Sequence, residues 1–344
     1  MAVVEWSRLR GQRLKEGRRA SRNELESGVV GRRVVVTGGA GFIGSHLCDA
    51  IMERGPERLA IVDDFSLGKE RNIRDFQGRK GVKVHRSDAT DFESMREILS
   101  GESPDVVFNL AVIPLPMSLE LPRETVETNV QIATNFCELL RKGAIKTLVH
   151  CSSSEAYGSA LYVPMDEKHP EQPLTPYAAS KIAGDHIVMS YQKTFGVDVA
   201  VARPFNAYGP RQNEGSYAGV IPLTIRRILR GEKPVVFGDG LQTRDYTFVG
   251  DTVEGILGVY GSPEARGKVV NIASGREVTI QHIIDLIVRM TGYGGEVLHQ
   301  PERPGDVRRH RGDISLARKL FKYEPRVDLE EGLKKTIEWY RQEA

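Results

Sequence analysis

Residues 37–44 read Thr-Gly-Gly-Ala-Gly-Phe-Ile-Gly, directly after the β-branched run Arg32-Arg33-Val34-Val35-Val36 and directly before a helical stretch, Ser45 to about Glu53. A strand, a glycine turn and a helix in that order limit what the chain can fold into. Gly38, Gly41 and Gly44 permit a tight turn and let the backbone approach a pyrophosphate seated at a helix N-terminus. Further apolar runs recur at Leu59–Val62, Val82–His85, Val106–Leu110, Thr147–Cys151 and Val197–Ala202. Helical stretches lie between them at Glu93–Leu99, Glu124–Arg141 and Ala178–Phe195. Alternation of this kind predicts an α/β fold, a doubly wound parallel (Rossmann) sheet whose strands are buried on both faces.

The pattern divides the chain into three. Residues 1–31 are a polar, basic N-terminal extension with weak helical spacing at Trp6, Leu9 and Leu14, read as a solvated tail or an arm on a neighbouring subunit. Residues 32–206 are read as the dinucleotide-binding domain. Residues 207–344, with loops at Gly209–Tyr217, Gly238–Asp245 and Gln300–Gly312 and a last helix at Leu329–Arg341, are read mainly as a smaller α+β substrate-binding domain.

Charge and cysteine content narrow the classes. Residues 1–33 carry nine Lys and Arg against four Glu, so a net +2 for 344 residues leaves the body slightly acidic, unlike a nucleic-acid surface. Cys48, Cys137 and Cys151 are odd in number and form no CxxC, which argues against a disulfide scaffold or a structural metal and for a reducing, cytoplasmic setting. No apolar run approaches the ~18–20 residues that span a bilayer.

Asp63 ends the second strand, where a carboxylate accepts hydrogen bonds from the adenosine ribose and repels a 2′-phosphate, which favours NAD over NADP; Lys69 and Arg71 follow and keep NADP open. Asp88 ends the third strand within reach of an adenine edge. Tyr177 and Lys181 are i and i+4 and share one helix face. A phenol with a reference pKa of ~10 is a poor base near neutrality, and an adjacent ammonium is expected to lower it. Cys151-Ser152-Ser153-Ser154-Glu155 follows an apolar strand, so a hydroxyl there can share a substrate proton with the tyrosine.

With these motifs the chain resembles the extended short-chain dehydrogenase/reductase family, in particular the nucleotide-sugar 4-epimerases, 4,6-dehydratases and UDP-glucuronate decarboxylases. The resemblance runs from about Arg32 to Ala344 and includes Leu110-Ala111, Asn129-Val130, SSSEAYG at 152–158, YAASK at 177–181, Arg203 to Arg211, GDGLQTRDY at 238–246 and Arg303-Pro304-Gly305-Asp306. It implies that Gly38, Gly41, Phe42, Ile43, Gly44, Asp63, Asp88 and Ala89 hold NAD together with Leu110, Ala111, Tyr177, Lys181 and Pro204. It implies that Tyr177 takes the sugar C4 hydroxyl proton as hydride passes to NAD, with Ser153 and Lys181 assisting. Ser153, Asn206, Arg244, Arg303 and the Gly219-Val220 step of the 211–222 loop would hold a nucleotide sugar, expected to be UDP-linked. The two guanidiniums and the amide suit a diphosphate.

All three reactions pass through a 4-keto sugar. Glu155 stands where dehydratase-like and decarboxylase-like members carry a base, whereas residues 211–222 look like the substrate loop of UDP-hexose and UDP-N-acetylhexosamine 4-epimerases. Ser154 stands where the usual glucose dehydratase has an aspartate. The proline-rich segment Val112–Ser118 departs from the family's small-residue loop, which leaves the sugar open. A UDP-sugar 4-epimerase is the leading expectation, with dehydratase or decarboxylase as alternatives and a non-catalytic NAD-binding sensor as a remote one. The resemblance also implies a homodimer through the helices at 124–141 and 178–195.

Overall fold

The computed structural model describes residues 28–213, 219–302 and 305–343. Seven strands form a parallel sheet: β1 (Arg33–Thr37), β2 (Arg58–Asp63), β3 (Val82–Arg86), β4 (Val106–Asn109), β5 (Thr147–Cys151), β6 (Val199–Pro204) and β11 (Val269–Ile272). Their order, β11-β6-β5-β4-β1-β2-β3, reverses direction between β1 and β4, so a crevice opens at the carboxyl ends of those two strands. The register pairs Val35 with Ala60 on one side and with Val107 on the other.

Both faces of the sheet are covered, as the apolar strands require. Val34, Val36, Ile61 and Phe108 face α1 (Phe42–Glu53), through Leu47 and Ile51, and a later helix, Val249–Gly261, through Val253 and Ile256. Val35, Val62, Val107 and Val201 face the other layer. There α2 (Phe92–Glu102) contributes Met95 and Leu99, α4 (Pro122–Arg141) Ile132 and Phe136, and α5 (Pro176–Phe195) Val188. A single-turn helix, α3 (Leu115–Ser118), interrupts the proline-rich loop after β4.

The later chain adds β7 (Asn206–Tyr208), α6 (Val220–Leu229), β8 (Val235–Phe237), β9 (Thr243–Arg244), β10 (Tyr246–Phe248), the helix already named (α7), β12 (Val278–Thr279), α8 (Ile280–Thr291), β13 (Leu298–Gln300), α9 (Ser315–Phe321) and α10 (Leu329–Gln342). Tyr208, Ile225, Ile283, Ile287, Leu333 and Ile337 form a second core joining α6, α8 and α10. Three two-stranded pairs, β7 with β10, β9 with β12 and β8 with β13, lie outside the main sheet.

Several boundaries differ from the sequence expectation for local reasons. α1 begins three residues early, at Phe42, because Gly41 is the last extended residue of the turn. Pro176 at the first helical position and the Thr175 hydroxyl, which accepts the Ala178 N–H at 3.2 Å, start α5 before Tyr177. Among the described residues no helix is long and apolar enough to cross a membrane, and no cluster of His, Cys, Asp and Glu is placed to hold a metal.

Candidate active site

The carboxyl ends of the sheet bring the sequence-derived residues together. Gly38 has φ +65°, and a side chain there would lie 2.9 Å from the backbone of Leu110 and Ala111. A side chain at Gly44 would lie 2.1 Å from the Gly38 carbonyl oxygen. The turn therefore admits no Cβ at either position. Gly41 caps α1 without a side-chain bond, and the first turn, with Phe42 and Ile43, carries no acidic residue. Its N–H groups form a cradle suited to an anion. Thr37 fixes the rim: its hydroxyl accepts the Ala111 N–H at 3.3 Å and donates to Asn109 Oδ1 at 2.8 Å.

Asp63 is buried at the end of β2, accepting the Ala40 N–H at 2.8 Å and the Phe65 N–H at 2.9 Å. Burial pushes its carboxyl up, and these two backbone bonds oppose the rise. The carboxylate thus braces the glycine turn. Arg71, which kept NADP open, lies over the Trp339 ring at 5.5 Å and pairs with Glu343 at 3.1 Å, so its cation is engaged at α10. Asp88 accepts the Thr90 N–H at 2.8 Å, and the Ala89 carbonyl accepts from Asn135. Pro204 closes β6, buried.

Tyr177 and Lys181 stand one turn apart on α5. The Lys181 ammonium donates to the Cys151 carbonyl at 2.5 Å. Burial is the largest influence on it and pulls its pKa down, while Cys151 and Asp185 oppose. The Tyr177 phenol has a raised pKa because burial dominates, and only its hydrogen bond with Ser153 pulls the other way. The sequence leads to the expectation that Lys181 lowers the phenol; the rise comes from desolvation, the largest influence on it. Ser153 also caps the 3₁₀ turn Ser154–Tyr157 by accepting the Glu155 N–H at 3.3 Å. Glu155 is held above its ordinary pKa by burial, with Arg244 opposing and Asp306 adding to the rise. Ser154 is buried.

The residues expected to hold the substrate are less uniform. Asn206 sits in β7 with its Nδ2 buried and unpartnered, a donor aimed at no protein atom. Gly219 caps α6 with no side-chain bond, and Val220 packs against the core around Tyr208 and Ile225. Arg244 is buried and engaged within the chain: it donates to the carbonyls of Val307 at 2.5 Å and Thr243 at 2.9 Å, and pairs with Asp306. Arg303 lies outside the described residues. Asn129 brackets the proline-rich loop, accepting the Ile113 N–H at 2.8 Å and donating to the Ile113 carbonyl at 3.1 Å. This holds the 112–118 segment beside α5, because Asn129 also reaches Ser180 at 2.9 Å.

Two groups of the site escaped the sequence reading. One is a buried set, His150, Ser152, Asp185 and Arg203, behind Lys181. Asp185, four residues after Lys181, carried a signal, an acid at helical spacing on the face that holds Tyr177 and Lys181. The other is Asp245, which accepts from Ser274, Gly275 and Gly312 and joins three segments beside Arg244.

Known proteins share this arrangement. The family model described as GDP-mannose 4,6 dehydratase matches residues 35–336. A UDP-N-acetyl-alpha-D-glucosaminuronate decarboxylase of Bacillus cytotoxicus is 32% identical, over 90% of this chain and 98% of that protein. The UDP-glucose 4-epimerase of Thermotoga maritima, solved with UDP-glucose, is 34% identical with a TM-score of 0.85, covering 90% of this chain and 99% of that one. A dTDP-glucose 4,6-dehydratase of Streptomyces venezuelae, solved with NAD bound, is 27% identical with a TM-score of 0.85, covering 90% and 97%. Three reactions on three nucleotide sugars thus fall at nearly equal distance. The fold is common to them, and this chain belongs to their family, the nucleotide-sugar epimerases, dehydratases and decarboxylases of the extended short-chain dehydrogenase/reductase group.

Proposed function

We propose that the chain is an NAD-dependent UDP-sugar 4-epimerase of two lobes, residues 32–206 holding chiefly the cofactor and 207–344 chiefly the nucleotide sugar. The glycine cradle, which excludes any Cβ at Gly38 and Gly44, fits a dinucleotide pyrophosphate, and Asp63 faces the ribose position. NAD, when bound, supplies the hydride acceptor. Tyr177 takes the C4 hydroxyl proton, the neighbouring Ser153 hydroxyl shares it, and Lys181 sets the charge beside them. Asn206, Arg244, Arg303 and the Gly219-Val220 step are assigned to the nucleotide sugar. The buried Asn206 amide that lacks a protein partner supports this for its own position. The observation that carries the reading is that β5 and α5 bring Ser153, Tyr177 and Lys181 to one place, with Lys181 donating to the Cys151 carbonyl two residues before Ser153.

Ser154 favours epimerisation over dehydration, since a buried hydroxyl offers no carboxyl to protonate a departing C6 oxygen. A second reading rests on Glu155. A carboxyl raised by burial and facing Arg244 suits C5 proton abstraction or a C6 carboxylate, as in a dehydratase or decarboxylase. Proton NMR of UDP-glucose, UDP-N-acetylglucosamine and UDP-glucuronate incubated with enzyme and NAD in deuterated water separates them. The expected result is C4 inversion with C5 unlabelled. A 6-deoxy-4-keto sugar with deuterium at C5, or a pentose, would replace the epimerase reading with the second one.

A further inference from the structure

Behind Lys181 lies a fully buried polar set that the C4 chemistry does not use directly. Asp185 Oδ2 accepts from the Ser152 hydroxyl at 2.5 Å and from Arg203 at 2.7 Å. Lys181, one turn earlier on α5, donates to the carbonyl of Cys151. The two side chains therefore grip consecutive residues at the end of β5, and the next residue is Ser153. We propose that Asp185 is a positioning residue which, paired with Lys181 as a two-pronged clamp on Cys151-Ser152, keeps the lysine charged and Ser153 aimed at the Tyr177 phenol. This rests on the C4-oxidation reading.

The surroundings leave Asp185 as the group suited to that task. Lys181 and Asp185 are buried at 6% and 3% exposure, so their charges are not screened by water. From β5, the Cys151 thiol and His150 face them; from β6, Arg203; from the 3₁₀ turn, Glu155 and Tyr157; from α5 itself, Tyr177. His150 is neutral, held near pKa 3 by burial and the Lys181 charge. Its Nδ1 accepts from Asn109 Nδ2 at 3.3 Å, which puts the ring proton on Nε2, itself 3.8 Å from Asp185 Oδ1. Arg203 is shared with Glu171 at 2.8 Å, so Asp185 is not needed solely as its counter-ion. Burial pulls Lys181 toward its neutral form, and Asp185 is one of the two groups that oppose it. A neutral lysine could not favour a phenolate.

His150, which packs beside the clamp without a hydrogen bond to Asp185, accepts from Asn109, and Asn109 accepts from Thr37, the residue before Gly38; this row runs across β5 and β4 to the glycine turn.

The test is a ¹³C NMR titration of the full chain labelled in lysine, with the Lys181 resonance assigned by its loss in Lys181→Arg. In Asp185→Asn the Lys181 midpoint should fall by about one to three pH units, and the alkaline limb of kcat should move with it. Asp185→Glu should bring both back toward the parent values. If Arg203, left half-paired, prevents Asp185→Asn from folding, the double variant Asp185→Asn/Arg203→Met removes both members of the pair and should show the same fall. An unchanged Lys181 midpoint in either folded variant would overturn the clamp. The titration needs no substrate, so failure to turn over any UDP-sugar would count against the proposed reaction and not against Asp185.

Discussion

Tyr177 and Lys181 share a face of α5 but answer to opposite pulls. Burial raises the phenol and lowers the ammonium, and both effects disfavour the ion pair that proton transfer needs. The compensating groups are local: Ser153 for the phenol, Asp185 and Cys151 for the lysine. Tyr177→Phe deletes the hydroxyl and keeps the ring, so turnover should drop by about 10²–10⁴-fold while NAD still binds. Steady-state rates alongside a calorimetric NAD titration check both halves, and near-normal turnover would remove Tyr177 from the mechanism. At this scale the sequence showed the site's membership better than its electrostatics. Spacing placed Tyr177 and Lys181 together, but no spacing rule reports that Arg244 is held by Asp306 and two carbonyls, or that desolvation is the largest influence on the phenol.

The turn between β1 and α1 is where a short motif dictates an element. Gly44 sits in α1, yet its missing side chain is what lets the helix start pass the Gly38 carbonyl. Gly44→Ala puts a Cβ against backbone that has no room to yield. It should destabilise the fold by about 1–3 kcal/mol and lose NAD affinity. Gly101→Ala, in α2 with open space around it, serves as the control and should be neutral or stabilising by up to about 1 kcal/mol. Thermal unfolding with and without NAD measures both, and a Gly44→Ala protein with parental stability and affinity would refute the cradle argument. Most strands of the first half were legible because they are apolar runs buried on both faces, as β1, β4 and β5 are, while the edge strand β3, Val-Lys-Val-His-Arg, is only partly covered. β11 was not read from the sequence: it is only Val269–Ile272, and its partner β6 lies some seventy residues earlier. The two-residue strands β9 and β12 carry no periodic signal at all.

Across the whole molecule, the later chain does not simply follow the first half but returns to it. β11 completes the main sheet and α7 covers one of its faces, while β7 and β10 pair outside the main sheet. Asp245 fastens this junction by accepting from Ser274, Gly275 and Gly312, and burial lifts its carboxyl to about 6. Such long-range contacts join the later chain to the first half, and they are set by packing, which a linear motif does not encode. The family was legible because it resides in contiguous motifs. The choice of reaction was not: in our proposal it depends on how Glu155, Ser154 and the 112–118 loop meet across the fold.

The claim common to all of this is that hydride leaves sugar C4 and is kept on the enzyme. UDP-glucose deuterated at C4, turned over with NAD and followed by deuterium and proton NMR, tests it most directly. The expected product is the C4 epimer with deuterium still at C4 and a slowed rate relative to unlabelled substrate. Turnover that releases the deuterium to water would contradict it.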